Sequence, residues 1–217
     1  MARTGFEEHP LVDERLVNLW TQVARRYQDR SPRLLFELLN EPHRRLEGEA
    51  WNLLAARALA AVRATNPTRV VMIGPGEWNH PRALPQLRLP ADRHLIAAVH
   101  TYDPFGFTHQ GVTWRTPVLP TSVACCDERQ RQEVVSALEA AAQWNRAQGV
   151  PVHLGEFGVH VAADMDSRVA YARLVRGEAE RRAMGWAWWE FASDFSPVWD
   201  SAKGRWVEPI RRALGVK

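Results

Sequence analysis

Cysteine is nearly absent: among 217 residues only Cys125 and Cys126 carry thiols, and they are adjacent. Sequence neighbours rarely reach disulfide geometry, so the expectation is two incidental thiols on a loop, with neither a disulfide framework nor a cysteine metal site. Long apolar runs are missing too. No stretch approaches the roughly 20 residues that cross a bilayer, and the first ten residues lack the charged start and apolar centre of an export leader. The chain is therefore expected to be soluble with no membrane partner, and its localisation stays open. Neither sign of charge dominates, with 28 basic residues against 25 acidic ones and a formal charge of +3. No basic block of the kind that tracks a phosphate backbone is present, which excludes nucleic acid as the expected partner. There is no low-complexity tract and no close internal repeat.

What is present is enough apolar material, 46% of the chain, for one sizeable core, and a single domain over residues 1–217 is expected. Leu11, Leu16, Leu19, Trp20 and Val23 recur at helical spacing, predicting a helix over 10–29. Further helices are expected over 48–64, 128–148, 166–182 and 206–214, the third stopping at Gly149. Apolar runs at 33–39, 69–73, 95–99, 151–154 and 185–189 read as strands. Strands buried under helices are apolar nearly throughout, so the alternation predicts an α/β fold with about five parallel strands in crossover units. Long connections follow the strands at Gly74, His100, Phe157 and Glu190, whereas the turns from helix back to strand are short. Function is thus expected at the carboxyl ends of the strands.

Two of those strands deliver a glutamate, Glu41 after Leu34–Leu39 and Glu156 after Val152–Gly155. Cleaving a glycosidic bond with retention needs one carboxyl group to protonate the departing oxygen and a second to attack the anomeric carbon. Asn40, directly before Glu41, offers an amide suited to a sugar 2-hydroxyl. His100 and Tyr102 close a third strand, and Trp188 and Trp189 a fourth. Flat rings suit pyranose faces, and of the ten tryptophans Trp78, Trp114, Trp189 and Trp199 fall on the functional side. Trp20, Trp51 and Trp144 fall on helices and read as core. Glu37 shares strand parity with Glu41 and is expected to be a buried inward carboxylate with a structural partner. His43, His109 and His160 lack metal-ligand spacing and are expected to bond within loops or touch outer sugars. No metal or cofactor is expected.

Taken in order, Leu35-Phe36-Glu37-Leu38-Leu39-Asn40-Glu41-Pro42-His43, His100-Thr101-Tyr102-Asp103-Pro104-Phe105 with Phe107-Thr108-His109-Gln110-Gly111, Gly155-Glu156-Phe157-Gly158 and Gly185-Trp186-Ala187-Trp188-Trp189-Glu190-Phe191 resemble glycoside hydrolase family 5, the cellulase family. The resemblance implies a retaining endo-β-1,4-glucanase with Glu41 as acid/base and Glu156 as nucleophile. It further implies that Asn40 holds the 2-hydroxyl, Tyr102 hydrogen-bonds the nucleophile, His100 sits near the acid/base or leaving group, and Trp189 floors the sugar where cleavage occurs. Trp78 and Trp114 are candidate outer sugar contacts. A β-1,4-linked polysaccharide is the implied partner; a β-mannanase and a catalytically silent glucan-binding remnant are the alternatives.

The family's fold is an eight-stranded (β/α) barrel whose acid/base motif ends the fourth strand. Here that motif arrives at residue 41, so the chain resembles the last five βα units, with the first three absent. An arginine expected to bond the nucleophile and a histidine expected near the substrate, both from the early strands, have no counterpart in residues 1 to 9. Such a remnant exposes two strand edges, at 33–39 and 185–189, which leaves three outcomes open: two copies pairing to cover them, a rearranged stand-alone half-barrel with a shallow open cleft, or a chain that folds poorly. A half-barrel paired as a homodimer is the expectation, and a monodisperse monomer by light scattering at micromolar concentration would count against it.

Overall fold

The computed structural model describes residues 11–216, so the expected helix start at Pro10 lies outside the described residues. The first helix, α1, runs Leu11–Arg26 and is followed by strand β1 (Phe36–Glu37), helix α2 (Gly48–Arg63) and strand β2 (Val71–Ile73). Next come a short left-handed turn α3 (Gly76–Asn79), a 3-10 turn at Pro81–Gln86, strand β3 (Leu95–His100), a one-turn helix α4 (Phe105–Thr108) and the long helix α5 (Glu128–Gln148). Strand β4 (Val152–Glu156), helix α6 (Met165–Arg181), strand β5 (Gly185–Trp186), the hairpin β6 (Trp199–Asp200) and β7 (Arg205–Trp206), and helix α7 (Glu208–Ala213) complete the chain. The five parallel strands form one sheet in the order β1-β2-β3-β4-β5, as the alternating pattern predicts. β1 pairs with β2 through Phe36 opposite Val71, and β4 with β5 through His153 opposite Gly185.

By packing, the chain forms two compact units, the first reaching Ala98 and including Gln148–Pro151, the second holding Val99–Ala147 and the residues from Val152 on. In the first unit α2 buries Trp51, Leu54, Ala55, Ala58, Leu59 and Val62. That is the i, i+3, i+4, i+7 stripe of an amphipathic helix. Phe36, Leu38, Val71 and Ile73 of the same unit are buried as well. Trp51 donates its indole N–H to the Gly74 carbonyl at 2.8 Å. Trp20 is only half-buried and ties α1 to the end of β1 by donating to the Leu38 carbonyl at 2.8 Å, and Trp144 is half-buried on α5.

One buried side chain sets the path into β1. Arg69 donates to the carbonyls of Tyr27, Gln28, Arg30, Ser31 and Leu34 and to Asn66 Oδ1, at 2.6 to 3.4 Å. The turn between α1 and β1 exposes these carbonyls without strand partners, and a planar fork of five donors satisfies them together. Its guanidinium also lies over the Phe36 ring, 5.1 Å from the centroid.

In the second unit α5 begins with a reciprocal cap, Asp127 accepting from the Gln130 amide and Gln130 Oε1 from the Asp127 amide, both at 2.8 Å. It ends at Gly149, whose φ of +67° is the left-handed conformation that stops helices. Asp164 caps α6 by accepting from the Ser167 amide at 2.8 Å, and that backbone bond holds its carboxyl below the usual range. Tyr171, Ala172, Val175 and Ala179 of α6 are buried with Leu154, Phe157 and Ile210. Among the described residues no helix is long and apolar enough to cross a membrane.

Three expectations are corrected. The expected strands 33–39 and 185–189 shrink to two residues each, because β1 and β5 end the sheet and have a ladder on one side only. Glu37 is exposed rather than buried, since among the described residues no strand pairs with β1 on its outer side to cover the side chain. Cys125 and Cys126 are joined as a disulfide, not free thiols. The pair lies in the bend just ahead of α5, and adjacency in sequence alone does not encode the side-chain rotamers that let two neighbouring sulfurs meet.

Candidate active site

In the first unit, Glu41 lies four residues beyond β1 in a backbone turn with φ of 50°. Its carbonyl is engaged by His43 Nδ1 at 2.6 Å, and the His43 ring stacks on Trp78 with centroids 4.9 Å apart and planes within 9°. The Trp78 amide donates to the Pro42 carbonyl at 3.2 Å, pinning the α3 loop beside the glutamate's own turn. Three consecutive residues there, Glu77, Trp78 and Asn79, have positive φ. Non-glycine residues occupy that region at a cost, and such strain is concentrated at functional loops. Glu41 is half-buried, Asn40 exposed, and Trp78 presents 48% of its surface. Glu77 is occupied in an ion pair with Arg82.

In the second unit, Glu156 is the last residue of β4 and His100 the last of β3. The Glu156 carbonyl accepts from the Thr101 amide at 3.0 Å, extending the ladder past both strand ends. Above it the Tyr102 hydroxyl donates to Glu156 Oε2 at 2.8 Å, and His100 Nδ1 lies 3.6 Å from the same oxygen. Gly155 makes room for this, as a Cβ there would sit 3.0 Å from His100 Nε2. A carboxylate with a fixed donor and a buried imidazole beside it is oriented rather than free to rotate.

Tyr102 is itself held. Its ring meets His109 edge-on at 5.0 Å and Phe195 at 5.9 Å, while the Thr108 hydroxyl donates to its carbonyl. His109 stacks on Phe105 at 4.0 Å and shares a hydrogen bond with Thr108 Oγ1 at 3.0 Å. Burial, then the charges of His160 and Arg115, push the His109 imidazole down to about 4, so the ring is neutral at physiological pH. Trp114, 68% exposed, meets the His109 edge at 5.7 Å. His43, His109 and His160 all bond within loops, the last through the Gln110 carbonyl at 2.9 Å.

Trp189 lies three residues past β5, 45% exposed, its amide donating to the Phe157 carbonyl at 2.9 Å. The approach requires Gly158, where a Cβ would come within 2.1 Å of the Trp189 carbonyl oxygen. Trp188 turns the other way, edge-on to Phe157 at 5.2 Å with its indole N–H bonded to the Ser196 carbonyl. Glu190 accepts from the Phe195 amide at 2.9 Å and so shapes the loop. Trp199 joins Phe191 and Trp206 in an aromatic cluster beside a cavity of about 540 Å³, lined also by Asp194 and Asp200. None of Glu156, His100, Tyr102 or Trp189 lines that cavity.

In the second unit the structure gathers His100, Tyr102 and Glu156 with Trp114 beyond His109, and in the first it gathers Glu41, His43 and Trp78. Sequence reasoning did not find His109 and Phe195 as the wall behind Tyr102, nor the His43–Trp78 stack; the aromatic density of Tyr102–His109 was the available signal.

A parallel sheet flanked by helices, with polar side chains gathered at the carboxyl ends of its strands, defines a fold of the (β/α) barrel class. The chain belongs to glycosyl hydrolase family 5, whose cellulase model matches residues 4–194. It is 34% identical over 178 residues to Endoglucanase H of Acetivibrio thermocellus, covering 82% of this chain and 19% of that protein. An endoglucanase of solved structure superposes with a TM-score of 0.93 at 36% identity, over 98% of this chain and 69% of the other. Thermotoga maritima Cel5A, solved with cellobiose and with mannotriose, matches at a TM-score of 0.92, with 33% identity in the cellobiose structure and 96% and 68% of the two chains covered. The chain therefore spans about a fifth of that curated relative's length and some two thirds of the solved barrels, consistent with a partial barrel.

Proposed function

We propose that the chain is a single catalytic domain acting as a retaining endo-β-1,4-glucanase on cellulose or soluble β-glucan. The observation that carries this reading is the Tyr102 hydroxyl donated to Glu156 Oε2 at 2.8 Å, which fixes the orientation of the attacking carboxylate. Membership of a family whose members include endoglucanases supports it.

In the first step Glu41 protonates the glycosidic oxygen while Glu156 attacks the anomeric carbon, releasing the leaving chain and forming a glycosyl ester. In the second step Glu41 takes a proton from water, the water attacks the same carbon, and Glu156 departs as a carboxylate. Asn40 binds the 2-hydroxyl, where a contact that tightens in the transition state lowers the barrier. His100 orders the carboxylates, Trp189 stacks under the sugar being cleaved, and Trp78 and Trp114 take outer sugars. A mannan-cleaving reading is favoured by one observation, that Cel5A was solved with mannotriose as well as with cellobiose.

Reducing-sugar release from carboxymethyl cellulose, barley β-glucan and mannan, measured beside Glu156→Gln, tests the proposal. Release from the glucans that disappears in the variant is expected. Turnover retained by Glu156→Gln overturns the assignment, and release from mannan alone moves the substrate.

A further inference from the structure

The connection from Gly111 to Asp127 carries a feature that the hydrolytic chemistry leaves unused, the disulfide between Cys125 and Cys126. A disulfide stabilises mainly by closing a loop in the unfolded chain, and the benefit grows with loop length. A bond between neighbours closes no loop, so stapling the fold is not its use. Both cysteines are half-buried, and disulfide exchange requires only that a thiolate reach one of the two sulfurs.

The surroundings show what the bond is attached to. The Cys125 amide donates to Ser167 Oγ in the first turn of α6 at 3.0 Å. Ala124, just before it, is held through its carbonyl by Gln130 Nε2 of α5 at 2.9 Å. Val123 is clamped on both backbone atoms by the fully buried Gln110, at 3.1 and 2.9 Å. Gln110 neighbours His109, whose ring edges Trp114 at 5.7 Å. Farther round, Leu119 accepts from the Gly111 amide at 3.1 Å, closing the base of the loop that presents Trp114. The pair thus sits where that loop is fastened to two helix starts.

We propose that Cys125–Cys126 is a thiol–disulfide exchange site that sets how tightly the Trp114 loop is held. A thiolate of an external dithiol attacks one cysteine sulfur, the Cys125–Cys126 bond breaks, and a mixed disulfide forms. The second thiol of the reagent then displaces the cysteine, so two electrons and two protons pass to the pair while the reagent closes on itself. The reduced pair, two soft donors on adjacent residues, captures a trivalent arsenical with loss of one water. The consequence for saccharide binding rests on the glycanase reading above; the exchange site itself does not.

The test treats the full chain with dithiothreitol and then phenylarsine oxide, and reads intact mass. One arsenical per reduced chain and none on the untreated chain is expected, with stable capture lost in Cys125→Ser and in Cys126→Ser. Equal capture without reduction, no capture after it, or undiminished capture by the single variants overturns the site. Hydrogen exchange needs no turnover and reads the coupling, so it separates failure here from failure of the glucanase assignment. Amides in 112–124 are expected to exchange faster on reduction, and unchanged exchange there overturns the link to the loop. With β-glucan as substrate, KM is expected to rise about fivefold on reduction at unchanged kcat, and a fall in kcat at constant KM contradicts control through a sugar contact.

Discussion

Replacing Tyr102 by Phe removes one oxygen and one hydrogen bond, and the structure shows why little else changes. The ring stays braced by the edges of His109 and Phe195, and its backbone stays tied through the Thr108 hydroxyl. The Thr101 amide still bonds the Glu156 carbonyl. What is lost is the 2.8 Å donor on Glu156 Oε2. During breakdown of the glycosyl ester, negative charge develops on that carboxylate as it leaves, and a preset donor aimed at it stabilises the transition state more than the ester. A hydrogen bond to a charged group contributes about 1.5 to 3 kcal/mol, which is a fall in kcat of roughly 10- to 150-fold. Steady-state kinetics on barley β-glucan, with circular dichroism to verify the fold, measure it. The slower second step should also lower KM, because the glycosyl-enzyme accumulates. A folded variant that loses less than about threefold in kcat would refute the argument that this hydroxyl supports the nucleophile.

Arg69→Met removes the guanidinium from over Phe36 together with its bonds to the carbonyls it gathers, of which Leu34 and Arg30 lose a donor buried at 6% exposure. A loss of about 3 to 5 kcal/mol in urea unfolding is expected, and a loss under about 1 kcal/mol would contradict its role in shaping the entry to β1. His109 gives a pH signature: its folded value near 4 lies below the ordinary 6.5. Between those values the unfolded chain binds the proton and the folded one does not, so stability falls as pH drops from about 6.5 toward 4, by roughly 3 kcal/mol. The difference in urea midpoint between wild type and His109→Gln should therefore shrink across that window, and a constant difference would refute the burial argument.

The helices were legible because their stripes are complete: the buried positions of α2 follow the i, i+3, i+4 rule, and Gly149 marks the end of α5. The parallel sheet was legible from apolar runs between helices. Strand lengths at the edges were not, because hydrogen-bonded partners on one side decide where β1 and β5 stop, and an apolar run carries no count of neighbours. Glu37 failed for the same reason, parity giving its direction but not what covers it. The positive-φ run Glu77–Asn79 is imposed by the loop's contacts with Pro42 and His43 and has no glycine to announce it. Placement of Tyr102 over Glu156 followed from the motif order, whereas the wall of His109 and Phe195 behind it depends on residues 93 positions apart in the most extended pair.

The central claim is that Glu156 forms a covalent bond to sugar. A 2-deoxy-2-fluoro-cellobiosyl fluoride slows the second step more than its good leaving group slows the first, so the intermediate is retained long enough for peptide mass mapping. The account predicts one cellobiosyl label per chain on the peptide containing Glu156, absent in Glu156→Gln. A label on any other carboxylate, or hydrolysis of β-glucan by a chain that never becomes labelled, would contradict it.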